Sequence, residues 1–131
     1  MGEPCKILVA DRNRHVRDLL RRELQEEGYS VQVARDGHEV WLMLNSASPP
    51  DLVILDPDIP YLEDLTKQAE SRKGKPFVPL IIFSFLPEEE DRTIPGAVAV
   101  LEKKEDTQRL KDLVAEVIRQ YYPAGKKASH P

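Results

Sequence analysis

Four apolar residues, Leu52-Val53-Ile54-Leu55, run without a break between Pro49-Pro50-Asp51 and Asp56-Pro57. A run this short and this unbroken fits a strand covered on both faces, the condition of a parallel sheet with helices on each side. Its outcome is Asp56, a carboxylate presented where a buried strand stops. In open α/β sheets, chemistry collects at the carboxyl ends of such strands.

The rest of the chain alternates strand and helix. Lys6 to Ala10 reads as a first buried strand. Val16, Leu19, Leu20 and Leu24 then share one helical face, and Gly28 supplies the left-handed stop. Tyr29 to Ala34 reads as a second strand, and a helix from Gly37 to Leu44 turns Val40, Trp41 and Leu44 inward. After the Asp56 strand, Leu62 to Arg72 carries a thinner helical stripe of Leu62, Leu65 and Ala69. Lys73 to Pro76 reads as a loop, Val78 to Phe83 as a fourth strand and Ala97 to Leu101 as a fifth. Between Phe85 and Gly96, Pro87, three glutamates, Asp91 and Pro95 leave room for two short turns at most, so the fourth helix is expected to be shortened. Leu110, Leu113, Val114, Val117, Ile118 and Tyr121 mark the last helix. The pattern predicts an α/β fold, a doubly wound five-stranded parallel sheet with right-handed crossovers.

With 131 residues and 40% hydrophobic content the chain suits one domain with one core. The expected domain is 1–122, with 123–131 as a flexible tail or the start of a linker. A net charge of -4 gives no basic footprint, so direct nucleic-acid binding by this domain is not expected. No stretch reaches the roughly 20 apolar residues that span a bilayer, and no signal-peptide core is present, so a cytoplasmic protein without membrane contact is expected. Cys5, the only cysteine, reads as a buried thiol beside the first strand. His15, His38 and His130 lack zinc-chelating spacing, and Trp41 reads as packing.

Three more polar residues fall at predicted strand ends: Asp11 after the first, Ser84 after the fourth and Lys103 just past the fifth. A doubly wound sheet brings these ends to one edge. A carboxylate can attack phosphorus, an ammonium can neutralise phosphoryl oxygens and a hydroxyl can hydrogen-bond one of them. The set thus has the chemistry to accept a phosphoryl group. Each residue also has a plainer reading: Asp56 as a helix cap, Lys103 as a solvated lysine of the 102–106 charge run, Ser84 as a locally satisfied hydroxyl, and Asp11 as a partner of Arg12 or Lys103.

In order and near-family spacing, Ile7-Leu8-Val9-Ala10-Asp11, Gly28-Tyr29-Ser30-Val31, Pro50 to Asp56 with Ile59-Pro60, Pro79 to Ser84, Gly96-Ala97 and Leu101-Glu102-Lys103 resemble the receiver domain of bacterial response regulators. The resemblance covers about Lys6 to Tyr122. It implies the flavodoxin-like strand order 2-1-3-4-5 and a signalling role in a two-component phosphorelay, with at most weak self-phosphorylation and autodephosphorylation rather than enzymatic turnover. Asp56 matches the phosphoacceptor, Ser84 the conserved hydroxyl, Lys103 the conserved lysine and Asp11 one of the acidic pair. Implied partners are a histidine kinase or phosphotransfer protein, an effector domain or downstream protein, and a second copy in a homodimer.

The departures are as informative. Arg12 stands where the family places a second acid that ligates magnesium directly. A guanidinium about 5 Å from a divalent cation repels it by several kcal/mol at an effective dielectric of ~20. Magnesium is therefore expected to bind weakly or not at all, through Asp11, Asp56 and the backbone carbonyl of Asp58. Lys104, Val100, Phe85, Tyr61 and Asp64 replace the family's proline, aromatic switch residue, small residue and glycines. Two signalling readings follow: a receiver phosphorylated on Asp56, or a pseudo-receiver acting as a phosphorylation-independent interaction module in which Arg12 pairs with Asp56 in place of metal. A third, an aspartate-based phosphatase of the haloacid dehalogenase type, rests on Asp56-Pro57-Asp58 but needs that pair on the first strand, not the third.

Overall fold

The computed structural model describes residues 4–71, 78–104 and 106–123. The expected loop over 73–76, the last residue of the expected third helix and the tail beyond 123 lie outside them. Five strands, β1 (Lys6–Ala10), β2 (Ser30–Ala34), β3 (Leu52–Leu55), β4 (Leu80–Ser84) and β5 (Ala97–Glu102), form one all-parallel sheet in the order β2-β1-β3-β4-β5. This is the flavodoxin-like order expected. β1, β3 and β4 are buried almost end to end, as their unbroken apolar runs require of interior strands.

Among the described residues, four helices cover the two faces: α1 (Arg14–Glu26), α2 (Gly37–Leu44), α3 (Leu62–Glu70) and α4 (Gln108–Tyr121). Leu20 and Leu24 of α1 and Leu110, Val114, Val117 and Ile118 of α4 pack on Ile7, Val9, Ile54 and Ile81. Val40 of α2 and Leu65 of α3 pack on the opposite face with Leu8, Val53, Leu55 and Ile82. Alternation along each strand thus divides the apolar side chains between two cores.

Local chemistry sets the boundaries. The Gly28 N–H donates to the Gln25 carbonyl and the Tyr29 N–H to the Leu24 carbonyl, with Gly28 at φ 98, a Schellman stop that consumes Tyr29. The second strand therefore begins at Ser30, one residue later than the sequence pattern suggests. The fourth begins at Leu80 rather than Val78, because Pro79 has no N–H for the ladder, although its carbonyl accepts from Val53. The β4–β5 register shifts between Leu80 and Ile81, the ladder passing from Ala97 to Ala99 opposite them.

Between β4 and β5 the full helix of an ideal alternating fold is absent. A 3₁₀ segment, Glu89–Thr93, stands there, closed by a reciprocal cap in which the Glu88 N–H donates to the Asp91 carboxylate. An apolar cavity of about 270 Å³ lies nearby, lined by Val53, Leu65, Val78, Leu80, Ile94 and Pro95 among others. At the far end, the Tyr122 hydroxyl donates to the Asp51 carbonyl at 2.7 Å. Cys5 is buried in the core as expected. No helix among the described residues is long and apolar enough to cross a membrane.

Candidate phosphoacceptor site

Three hydrogen bonds extend the strand ladder one residue past its ends. Asp11 N–H donates to Ala34 O, Asp56 N–H to Ala10 O and Lys103 N–H to Ser84 O, at 3.1, 2.8 and 2.7 Å. The first residue after each strand is thereby held in the sheet's frame, and Asp11, Asp56, Ser84 and Lys103 meet at one edge. All four are buried: Asp11 is 2%, Asp56 1%, Ser84 3% and Lys103 8% exposed. A buried lysine must be paired.

Lys103 Nζ lies 2.7 Å from Asp11 Oδ2 and 3.8 Å from Asp56 Oδ2. The other Asp11 oxygen accepts the Asn13 N–H at 2.8 Å. Asn13 in turn caps α1, its side-chain oxygen accepting the N–H groups of His15 and Val16. Arg17 reaches back from α1 to donate to the Asp11 carbonyl at 2.7 Å. The start of the helix and the orientation of Asp11 are thus one structure. Burial pushes the Asp11 carboxyl above its ordinary value, and the Lys103 and Asn13 hydrogen bonds pull against that rise.

Asp56 Oδ1 accepts the Asp58 N–H at 2.9 Å, which turns the chain after β3, and Oδ2 accepts the Arg12 N–H at 3.3 Å. The Arg12 side chain bridges two carboxylates: Nε lies 3.6 Å from Asp56 Oδ2, and Nη2 lies 3.6 Å from Asp58 Oδ2. The structure thus pairs the Arg12 guanidinium with Asp56. Asp11 pairs with Lys103, and the Ser84 hydroxyl accepts the Leu86 N–H at 3.2 Å.

As arranged, these donors do not fit a divalent cation. Among the described residues, no three His, Cys, Asp or Glu side chains are grouped to hold a metal. Both Asp11 oxygens and both Asp56 oxygens are engaged by N–H or ammonium donors, and the guanidinium spans Asp56 and Asp58. Magnesium requires several hard oxygen ligands free of competing positive charge.

Sequence reasoning missed two features. Phe85 and Phe83, two residues apart, place their rings 4.9 and 5.9 Å from Lys103 Nζ, so aromatic faces flank the buried ammonium. The spacing of two along the end of β4 is the only signal that could have suggested it. On the α2–α3 side, His38 stacks on Tyr61 at 4.1 Å and lies 3.1 Å from Asp64. Tyr61 adopts φ 62, the left-handed conformation that a glycine would take without strain.

The same fold recurs among known proteins. Residues 7–115 match the model of the response regulator receiver domain. The chain is 40% identical over 81 residues to the response regulator MprA of Mycolicibacterium vanbaalenii, covering 62% of this chain and 35% of that protein. It is 38% identical over 79 residues to MprA of Mycobacterium avium, covering 60% and 34%. The chain thus spans about a third of the length of these curated relatives. Among solved structures, response regulator TrrA of Thermotoga maritima, in complex with Mg²⁺ and BeF, matches with a TM-score of 0.67 and 30% identity over 86% of this chain and 98% of that one. The chemotaxis response regulator CheY4 of Vibrio cholerae shares the fold, with a TM-score of 0.73 at 23% identity over 87% and 98%.

Proposed function

The chain belongs to the response regulator receiver domain family of two-component systems, and from that premise we propose that Asp56 accepts a phosphoryl group from the phosphohistidine of a histidine kinase or phosphotransfer protein. The observation that carries this reading is the placing of Asp56. Its carboxylate is 1% exposed, with Lys103 at 3.8 Å and Arg12 at 3.6 Å. A carboxylate attacking phosphorus needs positive charge beside it to receive the oxygens of the transferred group. Lys103 and Arg12 supply two such charges, and the Ser84 hydroxyl supplies a further donor once it exchanges its bond to Leu86. The group is then read out by an effector domain or a downstream protein.

Receiver domains are signalling modules, and the site is that of a stoichiometric acceptor rather than a turnover enzyme. Incubation with a small phosphodonor such as acetyl phosphate, followed by intact mass measurement, tests the proposal. The expected result is the added mass of one phosphoryl group, absent in Asp56→Asn. No added mass from either a small donor or a phosphorylated kinase would overturn it and leave the phosphorylation-independent module. Steady hydrolysis of a generic phosphomonoester would favour the phosphatase reading instead.

A further inference from the structure

Three carboxylates and two cations share the strand-end edge: Asp11, Asp56 and Asp58 with Lys103 and Arg12. The cluster as it stands carries one net negative charge. An acid at position 12 would make that three, and a divalent ion would return it to one. Arg12 thus does in a single side chain what a carboxylate and its metal would do together. Its geometry agrees, because the guanidinium spans Asp56 and Asp58 at 3.6 Å each, the two residues that flank the turn after β3. Its planar fork of N–H donors matches the spacing of phosphoryl oxygens.

Building on the reading of Asp56 as phosphoacceptor, we propose that Arg12 is the resident cation of this site and that Asp56 is phosphorylated without a divalent metal. In the step with acetyl phosphate, a carboxylate oxygen of Asp56 forms a bond to phosphorus as the bond from phosphorus to the acetyl oxygen breaks. Acetate leaves with that electron pair, and no proton is transferred. The Arg12 side chain is 55% exposed, so it can exchange Asp56 for the incoming phosphoryl oxygens without leaving a buried charge unpaired. The Lys103 side chain, only 5% exposed and held by Asp11, is the fixed charge on the other side. Asp58, 60% exposed, steadies the guanidinium during the exchange.

The test is the labelling rate with acetyl phosphate in excess EDTA and in millimolar magnesium, for the natural chain and for Arg12→Asp and Arg12→Ala. Beryllofluoride binding, followed by Trp41 fluorescence in the same two buffers, gives a readout independent of phosphoryl transfer. The natural chain is expected to label, and to bind beryllofluoride, at rates and affinities within about twofold in the two buffers. Arg12→Asp is expected to respond to magnesium by about tenfold or more, as charge replacement at close range requires. Arg12→Ala is expected to lose labelling in EDTA while its far-ultraviolet circular dichroism stays that of the natural chain. Labelling of the natural chain only with magnesium would overturn the resident-cation proposal and leave Asp56 as phosphoacceptor. Labelling of Arg12→Asp with magnesium, when the natural chain labels in neither buffer, would show Arg12 to be a block and overturn it too. No label on any variant in either buffer would overturn the phosphoacceptor reading itself.

Discussion

Lys103 Nζ sits 2.7 Å from Asp11 Oδ2, an ion pair between side chains only 5% and 3% exposed, at the ends of two strands that are not neighbours in the sheet. A buried pair of this kind contributes little net stability over an apolar substitute, yet breaking one side of it is costly. Lys103→Met would leave Asp11 and Asp56 buried without their inner cation. The expected loss at neutral pH is about 3 kcal/mol by urea denaturation. It should shrink as the pH is lowered and Asp11, whose carboxyl burial already raises, takes up its proton.

Asp11 itself gives a pH dependence of known sign. Burial raises its carboxyl above the ordinary 3.8, so the native state holds this proton where the unfolded chain has released it. The contribution of this group to stability is present below 3.8 and is lost as the pH rises through the raised native value. Asp11→Asn should flatten that component in denaturation curves measured from just below 3.8 to neutrality. An unchanged slope would place the titration elsewhere.

Tyr122 carries the alkaline counterpart. Burial pushes its hydroxyl from 10.0 up to about 12, and the same group donates to the Asp51 carbonyl at 2.7 Å. The neutral form is the one the fold prefers, so its contribution is full below 10.0 and falls away toward about 12. Tyr122→Phe should cost about 1 kcal/mol at neutral pH for the lost hydrogen bond. The same change should also weaken the alkaline destabilisation, with Tyr29, likewise raised to about 12, supplying what remains.

Gly37 opens α2 against the backbone of the turn before α3, where its N–H donates to the Pro60 carbonyl. A Cβ at this position would collide with the Tyr61 carbonyl, a backbone atom that cannot rotate away. Gly37→Ala, which stabilises an ordinary helix, should here destabilise by about 1–3 kcal/mol. A thermal melt that rises instead would show that the α2–α3 packing yields.

Asn13 joins helix start and site. Asn13→Ala removes the cap on His15 and Val16, and about 1 kcal/mol of stability should go with it. Because the Asn13 N–H also holds Asp11, the amide resonance of residue 103 should shift in the variant. An unmoved resonance would mean that cap and site are uncoupled.

Much of this molecule was legible in its residues. Unbroken apolar runs marked the interior strands, Gly28 and the prolines marked most stops, and polar residues at predicted strand ends named Asp11, Asp56, Ser84 and Lys103. These signals are local, set by side-chain period and backbone permission, and they survive without knowledge of neighbours. The prolines and acids of 87–95 likewise forecast a shortened element, realised as a 3₁₀ turn.

Pairings needed the third dimension. The sequence allowed Asp11 to partner Arg12 or Lys103, and left the pairing of Arg12 with Asp56 as one reading of two. Only the sheet order β2-β1-β3-β4-β5, which lays β3 between β1 and β4, fixes which charges stand within 4 Å of one another. The aromatic flank of Lys103 and the left-handed turn at Tyr61 arise the same way. Residue types and spacing determined which groups reach the edge. The strand register decided their distances, and electrostatic energy depends on distance rather than on sequence.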